Sequence, residues 1–452
     1  MMKIRIRVET EFGWGEKRSR DLGTVERDSV EASEEDFGLS LAEGKSLLKE
    51  IQRVLLQEQV EEISEVSRVC RLCGSYLPVH DSRERRIDTL FGRITVAVPR
   101  VRMCMCGLPG HPKFKAADSP LTRVLRNRAT PELQRLQAEL AARHSFREAA
   151  RLLNMLTPCS RQNHMTIRNR LASVADRFED GSGELGANTH ASGNREISVF
   201  LDSAYIRSRP EYQRRNFEVV VGAVGDGAGT KRRFGLSLSG ADNPLECMQT
   251  NLAATGWREG NQVTVLSDGD PALPRLVRNA IGADVNHILD WWHISIRIRH
   301  VETTFQTLLS CLESSEADEI RPFVQNLRWR VWHGQTGRAL EALEALFRVG
   351  MHISKTSVGT QREAAFLVVS RTMELRTYLE YNRPAVTNYA RRKQQGRAVS
   401  TSRAEGLVND IANTRMGKKQ RMRWSPRGAH RVATVRAAVL DGRLSAGRLK
   451  AA

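Results

Sequence analysis

Between Arg195 and Leu289 the chain alternates in a pattern that few folds accommodate. REISVFLD (195–202) is a nearly continuous apolar run that ends on Asp202. RNFEVVVGAV (215–224) and KRRFGLSLSG (231–240) follow as strand-like segments, joined by GDGAGT, a composition suited to a hairpin turn. NPLECMQTNLAATGW then predicts a helix, NQVTVLSD (261–268) a strand, PALPRLVRNAI a helix and DVNHIL (284–289) a last strand. This order predicts an α/β sheet that begins as an antiparallel meander. Residues 300–400 carry helical periodicity without strands.

Two of these strands are expected to finish on a carboxylate. A charged residue seldom closes a buried strand without a partner or a task. If the first strand lies beside the fourth, Asp202 and Asp268 come together, and two such groups repel unless cations bridge them. Two-metal phosphoryl transfer makes that demand, with ions about 3.5–4 Å apart. Asp270 precedes Pro271 and is explained as a helix cap. A third acid would come from a helix. Glu405 in STSRAEGLVNDI is one candidate and Asp410 another, although Ser402-x-x-Glu405 also fits a capping box. Asp290 and His293 in LDWWH stand one helical turn apart where the last strand ends. They could pair across that turn, and Asp290 could equally act as an N-cap alone.

Cys70-Arg-Leu-Cys73-Gly and Cys104-Met-Cys106-Gly flank a strand-like stretch. Two such knuckles can deliver four thiolates tetrahedrally to a structural Zn²⁺. The second, C-x-C, is one residue short, so reduced unliganded thiols, or three thiolates with His111, are the alternatives. SFREAARLLN (145–154), a turn at Thr157–Ser160 and HMTIRNRLASVADRF (164–178) have the form of a helix-turn-helix. Its second helix would present His164, Thr166, Arg168 and Arg170 to a DNA groove; a plain helical hairpin is the alternative.

The formal charge is +18, which favours a polyanionic partner such as nucleic acid. Residues 391–452 hold 16 Lys/Arg against 3 Asp/Glu, a net of +13. Lys418, Lys419, Arg421, Arg423 and Arg427 in this tail are expected to meet backbone phosphates, making affinity salt-sensitive. Trp329 and Trp332 could stack on unpaired bases, at about 1–3 kcal/mol per base, or pack in a helical core. No apolar run approaches the ~20 residues that span a bilayer. The N-terminus lacks a signal-peptide core, and seven cysteines, four of them clustered, suggest reduced thiols. A bacterial-type cytoplasmic protein, nucleoid-associated through its DNA partner and without a membrane partner, is therefore expected. No GxxxxGK[ST] phosphate loop is present.

FLDSAYI, VTVLSDGDPAL, LDWWHI and AEGLVNDI with the basic stretch through RWSPRGA resemble the DDE transposases of bacterial insertion sequences, specifically Mutator-like ones. The resemblance implies an RNase-H-like catalytic domain interrupted by an all-helical insertion, preceded by a zinc ribbon and a helix-turn-helix. It further implies Asp202, Asp268 and Glu405 as the catalytic triad, with Mg²⁺ or Mn²⁺ as cofactor. Asp290 and His293 match the family's Cys/Asp-x-x-His element, while the C-x-C knuckle departs from its pattern. The implied activity is cleavage at the ends of an insertion sequence and strand transfer into target DNA, by a homodimer or higher assembly. A non-catalytic DNA-binding protein and a structure-selective nuclease on the same sheet are the rivals.

The organisation expected is a strand and helix region at 1–62, the zinc ribbon at 63–118, the helix-turn-helix at 119–180 and a linker at 181–194. The first catalytic part then runs 195–299, the helical insertion 300–398, and the second catalytic part with the basic tail 399–452.

Overall fold

The computed structural model describes residues 1–28, 34, 37–106, 114–179, 196–225, 231–400 and 406–444. The expected linker at 181–194, His111, Ser402 and Glu405 fall outside the described residues. The chain divides into two compact units, Met1–Val174 with Leu444–Ala452, and Ala175–Arg443.

The first unit opens with an antiparallel hairpin, β1 (Met2–Glu11) and β2 (Lys17–Arg27), where the sequence pattern had suggested a single strand. Helix α1 (Leu41–Val66) starts on a capping box in which Ser40 and Glu43 satisfy each other's backbone N–H groups. It is tied to the hairpin by Arg18–Glu61, Arg20–Glu58 and Arg27–Glu43 ion pairs. Its other side carries Leu56 and Val60 onto Ile87, Ile94, Val96 and Val98. These come from β3 (Val79–Thr89) and β4 (Gly92–Cys104), which form an antiparallel sheet with β5 (Phe114–Asp118). Inward residues of β4 alternate with exposed ones, the signature of a sheet with one face in a core. Four helices follow: α2 (Pro120–Val124), α3 (Pro131–Arg143), α4 (Phe146–Leu156) and α5 (His164–Glu179), the last of which runs across the division between the units.

The second unit is built on a five-stranded mixed sheet of order β10-β9-β6-β7-β8. Strands β6 (Ile197–Arg207), β7 (Asn216–Gly225) and β8 (Lys231–Leu236) form the antiparallel meander; β9 (Val263–Ser267) and β10 (Asn286–Leu289) add in parallel beyond β6. One face packs Ile197, Val199, Leu201 and Val265 against α6 (Pro244–Ala253) and α7 (Ala272–Ile281). The opposite face carries Leu266 and Ile288 into a helical core that Leu289, at the strand end, also joins. That core gathers α8 (Trp291–Leu309), α9 (Ser314–Gln325), α10 (Leu327–Trp332), α11 (Thr336–Thr356), α12 (Gly359–Tyr381) and α13 (Tyr389–Gln394). Among the described residues, no helix is long and apolar enough to cross a membrane.

The basic C-terminal stretch is not one solvated tail. A π-helical segment (Val408–Asn413) leads through two short helical turns, Thr414–Met416 and Lys418–Gln420, to α14 (Pro426–Leu440), a helix with eight buried residues that include Arg436 and His430. Gly235 on β8 lets both elements lie directly on the sheet: a Cβ there would stand 2.7 Å from Ala433 Cβ and 2.8 Å from Ile411 Cγ2. Gly235→Val should therefore lever α14 off the sheet and cost about 1–3 kcal/mol in a denaturant titration. An unchanged denaturation midpoint would show that the contact yields freely.

Candidate active site

The parallel pairing of β6 with β9 ends at Phe200↔Leu266, while β6 continues against β7 to Arg207. Asp202 therefore lies in mid-strand, not at a strand end as the apolar run suggested. The sheet splits at this point because β9 stops at Ser267 and β7 does not. Asp202 and Asp268 each stand two residues beyond the paired Phe200 and Leu266, and the Asp268 charge is near enough to act on the Asp202 carboxyl. Burial above all, with the Asp268 and Asp290 carboxylates, holds the Asp202 carboxyl above the usual range, against the pull of Ser203 N–H and His293. Ser203 N–H donates to Asp202 Oδ1 at 2.7 Å, and Asp270 N–H donates to Asp268 Oδ1 at 3.1 Å.

Asp290 is wholly buried and caps α8, its Oδ1 accepting Trp292 N–H at 2.9 Å. Its backbone N–H donates to Ser267 O at 2.9 Å, which fixes the start of α8 one residue from Asp268. Its Oδ2 lies 3.7 Å from His293 Nε2. Capping and pairing thus coexist in one carboxylate. Asp270 accepts Ala272 N–H at 2.8 Å and so serves the start of α7, as its place before a proline suggests. Glu405 lies outside the described residues. Asp410, the alternative third acid, is in the π-helical segment and its carbonyl accepts from Arg436.

Several groups around the acids carry no signal in the sequence. Tyr378 Oη donates to Asp268 O at 2.6 Å from α12, 110 positions away, and the Arg297 guanidinium lies 4.3 Å from its ring centroid. Tyr389 Oη donates to Leu289 O at 2.8 Å. The helical portion therefore grips the ends of β9 and β10 through one partly buried and one buried hydroxyl. Trp291, Trp332 and Tyr389 form an aromatic cluster with centroids 4.7–5.9 Å apart, so Trp332 belongs to a core. Trp329 is half exposed, 4.2 Å from the His333 ring.

The raised Asp202 carboxyl has a stability consequence. Its ionised form opposes folding at pH values above its folded-state pKa, and the penalty is relieved as acidification from neutral protonates it. Asp202→Asn should accordingly raise the metal-free stability at neutral pH by about 0.5–2 kcal/mol, with the gain shrinking toward pH 4. A melting series in chelator checks this; a loss of stability at neutral pH would sink it.

The four cysteines converge. Cys70 Sγ lies 3.8 Å from Cys106 Sγ and Cys73 Sγ 3.6 Å from Cys104 Sγ, with all four sulfurs within 4.8 Å of one another. Zn–S bonds of about 2.3 Å in a tetrahedron place sulfurs about 3.8 Å apart, so the set could hold a structural metal ion such as zinc. Gly74, at φ +69°, closes the first knuckle, with its N–H on Cys70 O at 2.9 Å. The shortness of the C-x-C knuckle does not keep its thiols apart, because Cys104 is the last residue of β4 and the chain turns directly after it. The Ser75 hydroxyl draws the Cys73 thiol down to about 6, while crowding by Cys104 pushes Cys106 up to about 12. Four thiols this close cannot all ionise without a cation.

In the helix pair, Ser145 caps α4 and Asn163 Oδ1 accepts Thr166 N–H at 2.8 Å at the start of α5. Buried Gln137 and Gln162 join α3 to the turn by a 2.6 Å hydrogen bond. His164, Thr166 and Arg168 are exposed. Arg170 instead turns inward, donating to Gln137 Oε1 at 3.1 Å, and burial lowers its pKa. A groove contact from Arg170 would break that bond.

Lys418, Lys419, Arg421 and Arg423 are exposed. Arg427 is consumed within the fold by Asp176, Glu179 and Asp242, at 2.8–3.3 Å. Periodicity could not show this, since the partners come from α5 and the loop before α6.

No protein-family model matches the chain, and no curated protein matches its sequence. Among solved structures, the chain is similar to one described as the Drosophila P element transposase strand transfer complex, at a TM-score of 0.32 and 11% identity, over 70% of this chain and 93% of that one. A likeness this loose carries no argument about fold or function.

Proposed function

We propose that the chain is a DDE transposase that binds the ends of an insertion sequence and catalyses metal-dependent DNA cleavage and strand transfer. The observation that supports this reading is the β6–β9 register, which leaves Asp202 and Asp268 each two residues beyond one paired position on a sheet of order β10-β9-β6-β7-β8. A meander followed by two parallel strands on the side of its first strand is the arrangement expected of an RNase-H-like domain, and the helices between Trp291 and Gln394 are its insertion. Glu405 would complete the triad.

The donor set fits hard divalent cations: two adjacent carboxylates, one destabilised in its ionised form by burial and by its neighbours. Asp202, Asp268 and Glu405 would hold Mg²⁺ or Mn²⁺, which would supply activation of the attacking oxygen and neutralisation of charge on the leaving one. Asp290, already bound to Trp292 N–H, positions His293 at the edge of the acid pair. Zn²⁺ on the four cysteines has a structural role, because four thiolates leave no open coordination position. His164, Thr166 and Arg168 face a groove of duplex DNA, Lys418, Lys419, Arg421 and Arg423 its phosphates, and Trp329 an unpaired base. The protein works in the bacterial cytoplasm on nucleoid DNA, as a homodimer or larger assembly.

Purified protein, a labelled element-end duplex and Mg²⁺ or Mn²⁺ should give cleavage followed by joining. Binding without cutting would identify a DNA-binding protein instead, and cutting confined to branched DNA without joining a nuclease.

A further inference from the structure

The β6–β7 hairpin tip and the segment before α14 are far apart in sequence and joined in the fold. Trp424 N–H donates to Arg207 O at 2.9 Å, and Arg209 N–H donates to Trp424 O at 3.0 Å, around a bridge between Ser208 and Trp424. Trp424 is buried at this junction, and the Arg415 guanidinium lies 4.9 Å from its ring centroid. The junction brings together two basic runs. The hairpin contributes Arg207, Arg209, Arg214 and Arg215, all exposed, with Glu211 as its one acid. The other side contributes Lys418, Lys419, Arg421 and Arg423 without an acid.

The backbone holds these side chains outward at a cost. Gln213 at φ 54° and Arg421 at φ 50° are the non-glycine residues with positive φ among the described residues, and both belong to this surface. Such conformations concentrate at functional positions. Each terminates a single 3-10 turn, Pro210–Tyr212 and Lys418–Gln420, that splays its basic neighbours.

We propose that the β6–β7 hairpin tip and residues 418–424 form one composite platform for the phosphate backbone of duplex DNA. Arg207 is five residues beyond Asp202 on the same strand, about 17 Å at 3.3 Å per residue. With 3.4 Å of rise per step, that is the length of about five base steps of duplex. That the DNA is the duplex being cut rests on the function proposed above; the platform itself rests on its charge and geometry.

The test is the salt dependence of binding, read by anisotropy of a short fluorescent duplex of mixed sequence, with cutting assayed separately. Arg214→Gln with Arg215→Gln, and Arg421→Asn with Arg423→Gln, should each reduce the log–log salt slope by roughly 1.8, and the four together by about 3.6. Asparagine at 421 tolerates the left-handed backbone. Arg207→Gln with Arg209→Gln is the second hairpin variant, should the first melt early. A slope altered only by the 421/423 pair, or by neither pair, overturns the platform. A protein that cuts nothing yet shows these slopes refutes the proposed activity and leaves the platform standing.

Discussion

Asp202→Asn and Asp268→Asn are each expected to lower metal-dependent DNA cleavage by at least about a thousandfold, equivalent to roughly 4 kcal/mol of transition-state stabilisation. Asparagine keeps the size of the side chain and can still accept the backbone N–H bond made by Ser203 or Asp270. What it removes is the negative charge that pairs with cations. Asp290→Asn should cost less, because that carboxylate is already committed to Trp292 N–H and lies 3.7 Å from His293. Single-turnover cleavage over a Mn²⁺ series separates the cases. A full loss in Asp290→Asn equal to that of Asp202→Asn would make Asp290 a metal ligand. Glu405→Gln with unchanged rate would remove it from the triad.

Loss of the cysteine-bound metal is the second large expected effect. One zinc per chain should be found by elemental analysis, and Cys73→Ser should abolish it. Zinc-finger peptides gain about 10–16 kcal/mol of apparent folding energy from their metal. Here β3 and β4 also rest on α1 through Ile87, Ile94 and Leu56, so part of the fold survives without it. A loss of about 4 kcal/mol would still lower the melting point of a unit this size by roughly 8–16 °C. A strong chelator should reproduce that shift in the wild type and not in Cys73→Ser. Wild-type protein that melts identically with and without chelator would mean the thiols are unliganded.

How much was legible in the residues follows from the range over which each signal acts. The strands of the sheet, the helices between them and the cap at Asp270 are local choices of periodicity and hydrogen bonding, and the expected segments overlap the observed elements, although β6 runs past its expected end at Asp202 to Arg207. The cysteine quartet was legible because thiol chemistry restricts spacing. The partners of Arg170 and Arg427 were not, since an arginine's sequence neighbours do not reveal whether a distant carboxylate or amide meets it.

The sequence by itself determined which residues could form strands, where acids and thiols stand along them, and that the chain carries a large positive charge. Only the tertiary structure decided that Asp202 and Asp268 are neighbours, that Tyr378 grips the end of β9, that Arg427 is spent inside the fold, and that the hairpin arginines meet the basic run before α14. Strand pairing, buried ion pairs and shared surfaces join residues tens to hundreds of positions apart. They arise from burying apolar faces against one another, and the order of residues along the chain does not specify which faces meet.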